Sequence, residues 1–172
     1  MITIRPATPT DIPAITRIYA HAVRHGTASF ELEAPDEAEM LRRMRTLLDG
    51  GFPYLAAENT GALLGYAYAG PYRPRPAYRF SVENSVYVDP QAHGQGVGRV
   101  LMDALITAAT ERGYRQMIAV IGDSAQAASI ALHRATGFHL VGTLANVGFK
   151  HGRWLDTVLM QRELGPGATQ PP

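Results

Sequence analysis

One stretch, Phe80 to Arg99, holds residue types whose spacing can do chemistry. It reads FSVENSVYVDPQAHGQGVGR. A carboxylate, Glu83, interrupts an apolar run from Phe80 to Val88, and Asp89-Pro90 breaks that run. Gly94, Gly96 and Gly98 follow at every second position, and an apolar pattern of helical spacing begins at once. Strand, glycine-rich loop, helix start is the arrangement that presents a row of backbone N–H groups and a positive dipole end to an anion, most often a phosphate. No Gly-Lys-Ser/Thr follows, so it is not a P-loop. The glycine spacing differs from the dinucleotide fingerprint, and no simple βαβ unit with an acidic strand end follows. A phosphorylated carrier other than ATP or NAD is the expected ligand, with Glu83 beside it as a base. Strand alternation puts Ser81, Glu83, Ser85 and Tyr87 on one side and Val82, Asn84, Val86 and Val88 on the other. A strand covered on both faces would partly desolvate Glu83 and raise its pKa, which suits a general base.

The elements that must position this stretch follow from periodicity. Ile2 to Arg5 reads as a short strand ending at Pro6. Ile12, Ile15, Tyr19, Ala22 and Val23 have helical spacing after a start at Thr10-Asp11, and Gly26 ends that helix. A second helix starts near Pro35, turns Met40, Leu41, Met44, Leu47 and Leu48 inward, and stops at Gly50-Gly51. Tyr54 to Glu58 and Ala62 to Gly70 form a hairpin about Asn59-Thr60-Gly61, and Pro71 to Pro76 is a loop. Tyr78 to Val88 is the central strand. The helix after the glycine loop runs to a cap at Gly113. Gln116 to Ile121 is a buried strand, Ala125 to Ala135 a helix closed by Gly137, and Phe138 to Phe149 and Gly152 to Arg162 two final strands. The order β-α-α-β-β-β-α-β-α-β-β predicts an α/β (α+β) fold: one domain over residues 1–164, with a mixed, mostly antiparallel central sheet flanked by helices. The tail GPGATQPP, 165–172, is expected to be disordered.

Composition narrows the function classes. With 172 residues and 46% hydrophobic content the chain can build one sizeable core. A net charge of +1 argues against a dedicated nucleic-acid binder. The absence of cysteine excludes disulfides, thiolate nucleophiles and Cys-ligated metals. No apolar stretch suits a membrane span and the N-terminus does not read as a signal peptide, so a soluble cytoplasmic protein is expected. His21 and His25 stand four apart on a helix, but spacing supplies no third metal ligand. His133 sits in a helix among apolar neighbours, a setting more often structural than catalytic. Arg73 and Arg75, two apart in the loop feeding the Glu83 strand, either solvate the surface or grip a carboxylate or phosphinate.

Along nearly its whole length the chain resembles the GNAT superfamily of acetyl-CoA-dependent N-acetyltransferases. More narrowly it resembles the phosphinothricin and methionine sulfoximine acetyltransferases. YAGPYRPRPAYRFSVENSVYV (68–88), HGQGVGRVLM (93–102), AVIG (119–122), ASIALHRATGF (128–138) and VGFKHGRWLD (147–156) carry the likeness. The resemblance implies acetyl-CoA as cosubstrate and no metal. Val86, Tyr87 and Val88 would hold the pantetheine arm by backbone hydrogen bonds. Gly94, Gln95, Gly96, Val97, Gly98 and Arg99 would bind the pyrophosphate. His93 stands where the family motif opens with Gln or Arg, and Gln126 where an Asn often contacts the cofactor. Ser129 would lie near the arm, and His133 takes the position of a general acid. Arg73 and Arg75 would hold the acidic end of an amino-acid-like substrate, with Phe30, Asn84, Ser85, Asn146 and Lys150 completing its pocket. Direct transfer to an α-amine is implied, Glu83 accepting its proton, and so is a homodimer through strands between Val141 and Leu159. Acetylation of another amino acid or small amine, or a non-catalytic coenzyme A sensor, are the alternatives.

Overall fold

The structure, a computed structural model, describes all residues from Met1 to Pro172. Seven strands form a single sheet in the order β1-β2-β3-β4-β5-β7-β6. They are β1 (Thr3–Pro6), β2 (Tyr54–Asn59), β3 (Ala62–Pro71), β4 (Ser81–Val88), β5 (Gln116–Gly122), β6 (His139–Lys150) and β7 (Arg153–Glu163). Only β4 and β5 run parallel; the other five neighbouring pairs are antiparallel. Four helices cover the sheet: α1 (Ile12–His25), α2 (Glu37–Asp49), α3 (Val97–Glu111) and α4 (Ala127–Ala135). The element order read from periodicity is the observed one.

Strand alternation sorts the core into two layers. Val82 of β4 and Met117 of β5 lie with Leu101, Met102 and Leu105 of α3 in one apolar cluster. On the other face Ile15, Ile18 and Val23 of α1 and Met40 and Met44 of α2 close over Tyr54 and Tyr66. Tyr87 joins this second layer, edge-on to Tyr19 with ring centroids 5.1 Å apart and stacked on Tyr66 at 5.4 Å. The central strand is therefore covered on both sides, as its near-continuous apolar run implies.

Two expectations shift at element ends. The strand expected from Tyr78 begins at Ser81, because Pro76–Tyr78 forms a turn of 3-10 helix. Pro76 has no N–H to give a ladder and pre-sets the turn. The tail, expected to be disordered, is described as a turn-rich strap whose carbonyls at Gly167, Gln170 and Pro171 accept from the Arg115 guanidinium. Leu164 is fully buried beneath it.

Candidate active site

Parallel pairing between β4 and β5 lasts for three residues only, Ser81–Glu83 against Gln116–Ile118. Beyond that point β4 follows β3 as far as the pairing of Val88 with Gly65, and β5 follows β7 to the pairing of Gly122 with Thr157. The two strands part, and backbone from Asn84 to Val88 and from Ala119 to Gly122 borders a cleft instead of a ladder. Strand edges of this kind hold N–H and C=O groups that need partners. A cavity of ≈ 160 Å³ sits at the closed end, lined among others by Glu83, Ser85, Val86, Gly122, Ser129 and His133. A wider groove of ≈ 760 Å³ continues from it between α1 and α4 to the glycine loop, a size suited to a cofactor.

The glycine loop leads directly into α3. Gly94 and Gly96 adopt φ of 76° and 81°, the left-handed region that costs other residues most. Gly96 caps α3, whose first turn carries no acidic residue, so no carboxylate on that turn competes for its N–H groups. Gly94, Gly96, Val97, Gly98 and Arg99 all line that groove. The Arg99 side chain is engaged with Asp103 at 2.8 Å, and the Gln95 amide donates to the Gln91 carbonyl, so what these two offer a ligand is backbone. His93 donates from Nε2 to the Val88 carbonyl at 3.2 Å, pinning the loop to the end of β4. Tyr87 is likewise left with its backbone, its ring being committed to the core.

The Glu83 carboxyl makes no hydrogen bond or ion pair within the protein. Burial raises its pKa above the ordinary carboxylate value and the Arg73 charge opposes that rise. A free carboxyl with an elevated pKa is equipped to take a proton from an ammonium. His133 is buried, and its ring is tied at both nitrogens. Nδ1–H donates to the Ser129 carbonyl at 2.7 Å, one helical turn back. A carbonyl only accepts, so the proton of the neutral ring is on Nδ1, and Nε2 accepts from Asn84 Nδ2 at 2.9 Å. Burial, against the pull of the Ser129 bond, lowers the His133 pKa. Alternation along β4 places Glu83 and Asn84 on opposite faces, and both reach the cavity because the strand edge is open there.

The remaining sequence candidates scatter. Gln126 lines both cavity and groove, with Nε2 donating to Thr27 Oγ1 at 2.9 Å. Arg73 and Arg75 are exposed, without ion pairs, and outside the cavity lining. Phe30 packs its ring over Gly122 and Gly148, where an added Cβ would collide with it. Lys150 is 4% exposed and donates from Nζ to the Ser29 carbonyl at 2.6 Å, holding the loop that carries Phe30. Asn146 lies in a β6 irregularity with φ of 56°, its N–H donating to Asp156, away from the cavity. The histidines at 21 and 25 line the groove with rings 4.7 Å apart, and no group of three or more His, Asp or Glu able to hold a metal ion exists. Sequence reasoning missed Ala28 as a wall of both cavities and Asp123, which accepts from Thr27, Arg153 and the Ala125 N–H. The signal for Asp123 was the Gly122-Asp123 pair at a strand end; Asp123 has φ of 74°.

A strand cleft, a glycine loop at a helix start and a free carboxyl at the junction define an acyl-carrier transferase site. The signature described as "Acetyltransferase (GNAT) domain" matches residues 4–159, and the chain belongs to this family. It is 57% identical over 170 residues to the phosphinothricin N-acetyltransferase of Alcaligenes faecalis, covering 99% of this chain and 86% of that one. It is 42% identical over 165 residues to the L-methionine sulfoximine/L-methionine sulfone acetyltransferase of Salmonella typhimurium, covering 95% of each. The crystal structure of a GNAT superfamily phosphinothricin acetyltransferase from Sinorhizobium meliloti, in complex with AcCoA, superposes with a TM-score of 0.97 at 49% identity. That match covers 99% of this chain and 92% of the other.

Proposed function

We propose that the chain is a cytoplasmic N-acetyltransferase that moves the acetyl group of acetyl-CoA to the α-amine of phosphinothricin, methionine sulfoximine or methionine sulfone. The observation that carries this reading is the unpartnered Glu83 carboxyl at the closed end of the β4/β5 cleft, with Arg73 close enough to oppose the rise in its pKa. Acetyl-CoA, when bound, supplies a thioester. Open strand edges at Val86–Val88 and Ala119–Gly122 suit the amides of its arm, and the loop Gly94–Arg99 its pyrophosphate. Glu83 accepts a proton from the ammonium of the acceptor, which frees the lone pair for attack. A backbone N–H near Tyr87-Val88 faces the developing oxyanion. His133 hands a proton to the leaving sulfur. With no cysteine in the chain there is no thiol to form an acyl-enzyme, and transfer is direct. Arg73 and Arg75, both free of ion pairs, take the acidic end of the acceptor. Gln126 and Ser129 border the arm; Ser85 borders the acceptor.

A second reading, acetylation of ordinary amino acids or small amines, draws on one feature: Arg73 and Arg75 stand outside the cavity lining, which leaves the acceptor side open. A thiol-release assay separates the two. Purified protein and acetyl-CoA are offered phosphinothricin, methionine sulfoximine, methionine sulfone and a panel of ordinary amino acids and amines. Turnover should be strongest on the first three and fall with Arg73→Ala or Arg75→Ala through KM. Turnover confined to the other amines removes the phosphinate and sulfoximine reading and keeps the acetyltransferase.

We also propose a homodimer. Support comes from the last hairpin, where Leu140, Val141, Leu144, Val147, Phe149 and Trp154 are each more than half exposed and β6 is an edge strand.

A further inference from the structure

Two buried groups at the closed end of the cleft are matched in one protonation state and mismatched in the other. Asn84 is 7% exposed. Its Nδ2 donates to His133 Nε2 and lies 3.3 Å from Met102 Sδ, while its Oδ1 is buried without any partner. A buried amide oxygen left bare is costly and rare enough to need a reason. Turning the amide over about its terminal torsion exchanges the two ends and sets Oδ1 against Nε2. That arrangement suits a ring that bears a proton on Nε2 and no other.

We infer that Asn84 is a positioning residue for both states of His133: its amide donates to the neutral ring, and turns over to accept from Nε2–H when the ring carries the proton destined for sulfur. The inference rests on the proposed role of His133 as the acid. No charged side chain is available to do this instead. The groups around the ring are the Ser129 carbonyl on its own helix, Asn84 on β4, Met102 on α3 next to Asn84, and Phe138, edge-on with ring centroids 4.9 Å apart. Glu83 lines the same cavity from the other face of β4 but makes no hydrogen bond or ion pair with the ring. The groups bonded to the ring are neutral dipoles, and for an imidazolium the bare Oδ1 is the one of correct sign at Nε2. The proton count closes. In becoming an amide the ammonium nitrogen sheds two protons, the first to Glu83, which passes it on to solvent, and the second to solvent directly. The Nε2–H bond breaks as the S–H bond forms, and His133 regains its proton from solvent. One proton is released overall.

Nitrogen-15 NMR of the full-length protein tests this through the Asn84 side-chain amide and the His133 ring nitrogens, followed from about pH 8 to about pH 5. At the upper end His133 should show a protonated Nδ1 and a bare, hydrogen-bonded Nε2. On acidification the Asn84 amide signals should move with the midpoint of the ring. Amide signals that stay fixed while the ring titrates overturn the inference. So do signals that answer coenzyme A but not pH, which would make Oδ1 a cofactor contact. Asn84→Leu should lower kcat by about tenfold or more, while the Kd for coenzyme A by calorimetry stays within about twofold. An unchanged kcat overturns the inference as well. His133→Gln separates it from the reading beneath it: full activity in that variant removes the acid role, whereas lost activity with a fixed Asn84 amide removes only the turnover of the amide.

Discussion

At neutral pH the Glu83 carboxyl is where burial and chemistry pull apart. Its folded-state pKa lies above the ordinary value because burial penalises the charged form, with Arg73 opposing. A carboxyl whose pKa rises on folding stabilises the fold below its unfolded pKa, where it is protonated. That contribution is lost as pH climbs through the raised folded pKa. The ionised carboxylate therefore costs stability at pH 7. Glu83→Gln should abolish most turnover, keep acetyl-CoA affinity within about twofold by calorimetry, and leave Tm equal to or above that of the parent. In the parent, kcat/KM should fall on acidification along a limb centred above the usual carboxylate range, and Arg73→Ala should push that limb higher still. A limb at the ordinary value, or a fully active Glu83→Gln, excludes Glu83 as the base. This residue was legible because a carboxylate inside an apolar run is conspicuous in one dimension. The Asn84–His133 contact was not, since 49 residues separate the partners and only the fold brings β4 and α4 together.

At the scale of elements, the segment joining α1 to α2 is fastened by contacts with parts of the chain distant in sequence. Lys150 donates to the Ser29 carbonyl, His151 to the Gly26 carbonyl, and Thr27 to Asp123, while Phe30 lies on two glycines. Ala28 in this segment is a wall of both cavity and groove. An added Cβ at Gly122 would stand 2.7 Å from the Phe30 ring, inside any real contact. Gly122→Ala should displace Phe30 and Ala28 together, destabilise by about 1–3 kcal/mol, and raise KM for the acceptor. Chemical denaturation and steady-state kinetics read the two effects. A variant with parental stability and parental KM would show that the segment does not shape the site. Lys150 and Phe30 were named from sequence as pocket residues; in the structure Lys150 holds the Ser29 carbonyl and Phe30 lies over Gly122 and Gly148. Periodicity revealed every helix and strand, but it carries no information on a loop whose conformation is set by partners more than 100 residues away, as Lys150 is from Ser29.

For the whole molecule, the sheet ends in an imbalance. At one edge β1 is four residues long, and at the other β6 runs for twelve. Short edge strands resist pairing with other chains, whereas a long apolar one invites it. Along β6 and the start of β7, large apolar side chains stand in water, including Phe149 and Trp154, which face each other across the hairpin with ring centroids 5.1 Å apart. An aromatic pair of this kind gains most when a second surface covers it. The proposed dimer would bury it through this hairpin, leaving β1 and the mouth of the groove free. The same hairpin supplies Lys150 and His151 to the loop that walls the cavity, so the proposed dimer would be mechanically joined to the proposed acceptor pocket. Phe149→Glu with Trp154→Glu should turn a dimer into a monomer in light scattering. The monomer should retain coenzyme A binding, because no groove residue lies on the hairpin, and should lose acceptor affinity as the Ser29 anchor loosens. A parent protein that is monomeric at micromolar concentration removes the dimer, and a double variant that stays dimeric moves the interface elsewhere.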